Sequence, residues 1–196
     1  SRDRPPLKAY LNMAELHKIK KDDVNANHYF KLALAREPKM VEAKLGIAQL
    51  LLQRKQHLRA RAELERLVRE FPDHVGARYL LADVLTELGG LREALDEYEH
   101  ILKIDPNHLP SRNNRGILYI KMNQPQKAVQ EYEKLFAIDP QHAKGHVNAG
   151  LAHALLGEVQ DAAQEWDRAA AIDPGLKAAQ ENKSLLKDIM RGETYA

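Results

Sequence analysis

The sequence predicts an all-α fold, a stack of antiparallel helical hairpins. Three observations predict it. Five prolines, Pro38, Pro72, Pro106, Pro140 and Pro174, stand 34 residues apart. Small residues keep the same phase: Ala26, Ala60, Ala94, Ala128 and Ala162 lie twelve residues before the prolines, and Ala14, Ala48, Ala82, Gly116 and Gly150 twelve before those. Between the breaks, apolar residues recur at helical spacing. A fixed period of this length marks copies of one supersecondary unit that bury their faces on one another.

Two further columns say what fills the space. Phe30, Leu64, Tyr98, Tyr132 and Trp166 lie eight residues before the prolines, and Ala33, Leu67, Ile101, Leu135 and Ala169 five before. Small residues let helix backbones approach, and large ones fill the volume beside the contact. The proline then ends the second helix of each hairpin, because it lacks an N–H and biases the residue before it away from helical geometry.

Taken in order, residues 1–6 form an N-terminal extension and the repeats run 7–40, 41–74, 75–108, 109–142 and 143–176. The first turns at Lys21-Asp22-Asp23 and the second at Arg54-Lys55-Gln56. The third is the clearest: Val75 to Leu88 is helical, Gly89-Gly90 breaks it, Leu91 to Ile104 resumes, and Asp105-Pro106 ends it. The fourth turns at Asn123, with Pro125 suited to the first turn of the next helix. The fifth turns at Gly157. Residues 177–190 read as a capping helix with Lys177, Glu181, Lys183, Lys187 and Asp188 outward, and 191–196 as a tail.

This pattern resembles the tetratricopeptide repeat family across residues 7–176. The clearest copy is Arg78-Tyr79-Leu80-Leu81-Ala82-Asp83-Val84-Leu85, followed by Ala94, Tyr98, Ile101 and Asp105-Pro106. The resemblance implies a right-handed superhelical solenoid whose first helices line a concave groove. The family's aromatic near the start of each repeat is present as Tyr10, while Lys44, Arg78, Arg112 and His146 hold that column elsewhere.

Composition narrows the class of function. The chain has 196 residues, a formal net charge of +2 and 30% charged residues, so no bulk field favours nucleic acid or anionic lipid. No apolar run is long enough for a transmembrane segment. Cysteine is absent, which removes disulfides and thiolate metal sites. The chain opens on Ser1, which leaves a removed targeting segment open, and the compartment with it: cytoplasmic, or periplasmic if bacterial. Catalysis finds no support. Ser1, Ser111, Ser184, Thr86 and Thr194 sit in no nucleophile elbow, there is no glycine-rich phosphate loop, and paired acids such as Glu97 and Glu99 read as solvated helix faces. No cofactor is expected.

Histidine offers the one metal-like pattern. His142, His146 and His153 have i, i+4 and i+7 spacing, which could set imidazoles on one face. Packing explains them better, because His146 and His153 stand in the columns of Tyr10 and Tyr119. His74, His108 and His142 end three successive repeats, about a helix diameter (roughly 10 Å) apart, too far to share an ion. Trp166, in the column of Phe30, Tyr98 and Tyr132, is likewise a core residue rather than a ligand anchor.

In the resembled family, the second, fifth, sixth, ninth, twelfth and thirteenth residues of each repeat face the groove. Here the first three repeats supply a mixed, mildly acidic set, from Lys8, Leu11 and Asn12 to Asp83, Thr86 and Glu87. The last two supply Asn113, Asn114, Ile117, Ile120 and Lys121, then Lys144, Val147, Asn148, Leu151 and Leu155. That second set suits an extended peptide. Asn114 and Asn148 carry both donor and acceptor for a peptide backbone. Ile117, Ile120 and Leu151 can bury alternate side chains, and Lys121 and Lys144 favour an acidic group. Asn12, Asn114 and Asn148 share a column, broken by Gly46 and Leu80. The family's carboxylate clamp fits poorly: Tyr79 and Asp83 stand where its lysine and asparagine belong, and Asn148 where its arginine belongs, leaving only Asn114 and Lys144 matched.

The basic run Arg54-Lys55, Arg59, Arg61, Arg66 and Arg69 is interleaved with Glu63, Glu65 and Glu70 and followed by an acidic third repeat. Charge complementarity between neighbouring repeats explains it better than RNA binding, because the aromatics that would stack bases lie in packing columns. The expectation is therefore a non-catalytic adaptor or scaffold that binds a protein or extended peptide, chiefly through repeats four and five. Self-association into a larger assembly is the alternative, and nucleic acid is disfavoured.

Overall fold

The computed structural model describes residues 5–190, with side chains through residue 184. The expected tail, most of the expected extension, and the side chains of Lys187 and Asp188 lie outside these. Eleven helices are present among the described residues: α1 (Leu7–Ile19), α2 (Asp23–Arg36), α3 (Val41–Gln53), α4 (His57–Glu70), α5 (Val75–Glu87), α6 (Leu91–Ile104), α7 (Leu109–Lys121), α8 (Pro125–Phe136), α9 (Ala143–Leu155), α10 (Val159–Ile172) and α11 (Lys177–Met190). No strand occurs among these residues, and the fold is all-α.

The chain divides within α6 into two compact units, Ser1–Glu97 and Tyr98–Ala196. In the N-terminal unit α1 packs on α2, α2 on α3, α3 on α4 and α4 on α5. In the C-terminal unit α7 packs on α8, α8 on α9, α9 on α10 and α10 on α11, while α9 also touches α7 and α11.

The turns inside the hairpins share one backbone device. Lys21, Lys55 and Asn123 have φ of 58°, 56° and 55°, and Gly89 and Gly157 have φ of 83° and 77°. These five residues form a single column, 34 residues apart. Each ends a helix in the left-handed conformation, which glycine adopts freely and a side chain at some cost. The glycine-free turns thus keep the same geometry, on asparagine in the fourth repeat and on a strained lysine in the first two. Lys55→Gly is expected to raise stability by about 1 kcal/mol, read as a higher urea midpoint at unchanged slope. A lower midpoint would mean that the side chain, not the backbone, sets this turn.

Three first helices start the same way. His74, His108 and His142 cap α5, α7 and α9, their Nδ1 atoms accepting from the N–H of Ala77 (3.0 Å), Ser111 (3.2 Å) and Gly145 (2.9 Å). A ring nitrogen here does what a serine or aspartate oxygen usually does. The α8 helix begins on Pro125, where the missing N–H needs no partner.

The periodic columns form the core. Ala26, Ala60, Ala94, Ala128 and Ala162 are all 0% exposed, and Phe30, Leu64, Tyr98, Tyr132 and Trp166 no more than 3%. Ala33, Leu67, Ile101, Leu135 and Ala169 are equally buried. Burying a side chain of the size of Leu or Phe stabilises by roughly 1.5–3 kcal/mol. In the N-terminal unit these columns gather Ala14, Ala26, Phe30, Ala33, Ala43 and Leu50 into one cluster, and in the C-terminal unit Ala128, Tyr132, Leu135, Ala149 and Ala152 into another. The small residues are small for a reason: a Cβ on Gly116 would lie 2.5 Å from the Tyr132 ring, and one on Gly150 would overlap the indole, 2.7 Å from Trp166 Cδ1.

Candidate functional site

The residues that the sequence singles out for binding lie on α7 and α9, two first-of-pair helices in contact within the C-terminal unit. On α9, Lys144, Asn148, Leu151 and Leu155 follow i, i+4, i+7, i+11 and share one stripe. On α7, Asn113, Ile117, Ile120 and Lys121 follow i, i+4, i+7, i+8 and share another. Asn148 Nδ2 donates to Asn113 Oδ1 at 3.1 Å and ties the stripes together. Leu151 and Leu155 are 40% and 53% exposed, Lys121 and Lys144 are exposed, and Ile117 and Val147 are half-buried. Ile120 packs against the Tyr132 cluster, so part of its surface belongs to the core.

The asparagines hold a structural role that the sequence did not reveal. Asn113 Nδ2 donates to Asn114 Oδ1 and Asn114 Nδ2 to the Tyr98 hydroxyl, each at 3.1 Å. Asn148 hydrogen-bonds the Tyr132 hydroxyl, which itself donates to the Asn113 carbonyl at 3.4 Å. Each asparagine thus satisfies the buried tyrosine of the preceding repeat. Where the preceding repeat offers Phe30, the same column holds Gly46, and a Cβ there would overlap that ring, standing 2.5 Å from its Cε1. The interruption of the asparagine column follows the aromatic it must cover.

Burial pushes the Tyr132 phenol well above the usual tyrosine range, opposed in part by the Asn148 bond and reinforced by Glu131. The folded state therefore keeps a proton that the unfolded chain loses above about pH 10. The stabilisation from a neutral, buried Tyr132 is complete below that pH and is lost as pH rises through the folded value. Urea midpoints are expected to hold to about pH 10 and fall beyond it. Tyr132→Phe should flatten part of that fall, and an unchanged slope would assign it elsewhere.

Two comparisons bear on this architecture. The family described as tetratricopeptide repeat matches residues 24–74 and 51–114, and again residues 113–177. The chain belongs to the tetratricopeptide repeat family. No curated protein matches it. Among solved structures, a tetratricopeptide repeat protein from Parabacteroides merdae is 18% identical over 95% of this chain and 73% of its own, with a TM-score of 0.83. MamA 41-end from Desulfovibrio magneticus RS-1 is 19% identical over 87% of this chain and 96% of its own, with a TM-score of 0.77. YrrB, described as a tetratricopeptide protein with an unusual peptide-binding site, is 21% identical over 91% of this chain and 92% of its own, with a TM-score of 0.75. At these identities the likeness is one of fold. The tetratricopeptide fold is consistent with a protein-interaction adaptor, and no helix among the described residues is long and apolar enough to cross a membrane.

The chain's departure from the tetratricopeptide aromatic column now has a physical reason. Arg78 donates to Glu97 (2.6 Å) and to the Pro72 carbonyl. Arg112 reaches Glu131 (3.5 Å) and the Pro106 carbonyl (2.6 Å). His146 places Nδ1 2.5 Å from Glu165 and donates from Nε2 to the Pro140 carbonyl at 3.0 Å. A mostly basic column therefore replaces the aromatic one; in the last three repeats it meets a glutamate nineteen residues on and a periodic proline carbonyl six residues back, whereas Lys44 bonds Glu70 instead. In the first repeat Tyr10 and Tyr29 hold the same two columns and pack against the core.

Other sequence expectations sort as follows. Trp166 is 3% exposed and donates from Nε1 to the Val147 carbonyl at 3.0 Å. His146 is buried and stacks on Phe136 at 3.9 Å. His142, His146 and His153 do not converge: the first caps α9, the second faces Glu165, and the third turns to Glu158 at 2.6 Å. In the basic run, Arg61 bonds Glu65 at 2.6 Å within α4 and reaches Glu93 of the third repeat at 3.9 Å. Arg66 bonds Glu63 at 3.0 Å. Arg54 bonds Asp23 of the first repeat at 3.0 Å, so the run is paired both within the second repeat, through i, i+3 and i, i+4 spacing, and with its neighbours.

Proposed function

We propose that this protein is a non-catalytic adaptor that takes up an extended segment of another protein on the α7–α9 face. The observation that carries this reading is the exposure of Leu151 and Leu155, at 40% and 53%, one turn apart on a helix that buries Ala149 and Ala152 on its other side. Contiguous exposed apolar surface rimmed by charge marks an interaction site. Lys121 and Lys144 supply that rim, so the partner segment is apolar with acidic residues beside it. The asparagines contribute by holding the two stripes in register. A structured scaffold of this kind binds with little backbone change. The same reading takes residues 7–176 as five repeats and α11 as the cap that closes them. Self-association through this face is the second reading, resting on the same leucines.

Selection of displayed peptides against the wild-type protein tests it. Leu151→Asp and Lys144→Glu are expected to weaken the selected peptides at least about tenfold, the effect of losing one well-buried anchor. Leu58→Asp, at an equally apolar but distant position 73% exposed, should leave them unchanged. Equal binding to the Leu151→Asp protein would sink the site. A concentration-dependent mass in light scattering, abolished by Leu151→Asp, would favour self-association instead.

A further inference from the structure

The turn between α9 and α10 gathers one imidazole and two carboxylates, of which His153 and Glu158 already meet at 2.6 Å. His153 lies in the last turn of α9, Glu158 precedes the first residue of α10, and Asp161 lies in that helix's first turn. His153 Nδ1 and one carboxylate oxygen from each acid all lie within 4.8 Å of one another. We propose that these three side chains form a binding site for a divalent first-row transition cation of the zinc class.

The first repeat supplies the contrast. His17, Asp22 and Asn25 occupy the same three columns. There the network is closed: Asp22 accepts from His17 Nδ1 (2.9 Å), from the Asn25 side chain (2.7 Å) and from the Asn25 N–H (3.2 Å). The Asn25 bonds hold the Asp22 carboxyl below the usual carboxylate range, with a smaller contribution from His17. The fifth repeat exchanges that asparagine donor for a second acid. Glu158 makes no capping bond to the α10 backbone. Two carboxylates therefore converge on one imidazole, with no amide between them to supply protons. Like charges this close repel unless a cation or proton joins them.

The donor set chooses the cation. One imidazole nitrogen and two carboxylate oxygens suit zinc and its neighbours better than the all-oxygen shells of calcium or magnesium. Metal–ligand bonds of about 2.0–2.2 Å need donors drawn in around the ion. The exposed side chains of Glu158 and Asp161 can turn to meet it, while His153, at 19% side-chain exposure, is already fixed. Water completes the shell on the open side. The bound ion would brace the turn at Gly157, joining the end of one helix to the start of the next.

Calorimetric titration of tag-free protein with Zn(II) tests the site. One molar equivalent is expected to bind in the micromolar range. Asp161→Asn, which rebuilds the closed network of the first repeat, and His153→Gln should each weaken it about tenfold or more. His17→Gln should leave it intact, and Mg(II) at the same concentration should give no saturable heat. Amide resonances of residues 153–161 should shift with Zn(II). Absence of stoichiometric binding, survival of binding in Asp161→Asn, or equal loss in His17→Gln would each overturn the assignment.

Discussion

Glu131→Gln is expected to cost about 3–5 kcal/mol of stability, the largest loss from any single polar exchange in this protein. The carboxylate is 3% exposed. It accepts from Arg115 Nε and Nη2 at 2.9 and 2.6 Å, from Lys134 at 3.1 Å and from Arg112 at 3.5 Å. Removing its charge leaves two poorly solvated guanidinium groups without a counterion, and a buried unpaired charge is penalised far more than an exposed one. Lys134 is mostly in water and matters little. Chemical denaturation of the variant gives the number directly. Glu133→Gln, one turn face away and exposed, should change stability by no more than about 0.5 kcal/mol. The triple variant Arg112→Leu, Arg115→Leu, Glu131→Leu should recover much of the loss, because apolar residues of similar volume are often as stable as a buried ionic cluster. The first repeat already uses an uncharged pair, Tyr10 and Tyr29, in these columns. A Glu131→Gln protein within 1 kcal/mol of wild type would show, by the usual scale of buried pairs, that water reaches this cluster.

Gly150→Ala should also destabilise, against the ordinary rule. Within a helix, alanine is favoured over glycine by about 1 kcal/mol. Here the new methyl would stand 2.7 Å from Trp166 Cδ1. The indole cannot retreat, being 3% exposed and tied to the Val147 carbonyl at 3.0 Å. Overpacking of this kind costs about 1–3 kcal/mol and outweighs the propensity gain. Thermal unfolding of Gly150→Ala, Trp166→Phe and the double variant makes the test. The double should lose less than the two singles summed, because the smaller ring gives the methyl room. Strict additivity would mean that the two positions do not share space. Among the repeats, Ala14 and Ala48 accompany Phe30 and Leu64, whereas Gly116 and Gly150 accompany Tyr132 and Trp166. Ala82 with Tyr98 departs from that correlation.

The core was legible in the sequence because its columns repeat in type. Five alanines in phase can only be a buried face, and all five are buried. The turns at Lys21 and Lys55 were legible in position but not in conformation, since lysine does not advertise a left-handed backbone. The cation column was visible as a missing aromatic. Its meaning needed the glutamate nineteen residues on, a distance no helical period links. The candidate site came from the columns that the resembled family turns to its groove; of its residues Lys121, Lys144 and Leu151 are exposed and the rest half-buried. What escaped was the second use of Asn114 and Asn148, whose partners Tyr98 and Tyr132 belong to the preceding repeat and stand sixteen residues back. Hydrogen bonds between repeats leave no trace in the periodicity of either one. His146 shows the same limit: its burial followed from its column, but its contacts with Glu165 and Pro140 did not.

The matching of each aromatic to the residue that covers it gives the chain a grammar of succession. A repeat that ends on tyrosine calls for a successor bearing asparagine, as Tyr132 does for Asn148. One that ends on phenylalanine calls for glycine, as Phe30 does for Gly46. Tandem duplication of the fourth repeat would set a second Asn114 behind Tyr132 and leave the new joint satisfied. Duplication of the first would set Asn12 against Phe30, where an amide finds a ring edge and no hydroxyl. Lengthening of such a chain by recombination is thus open at some joints and closed at others, although every repeat has the same length.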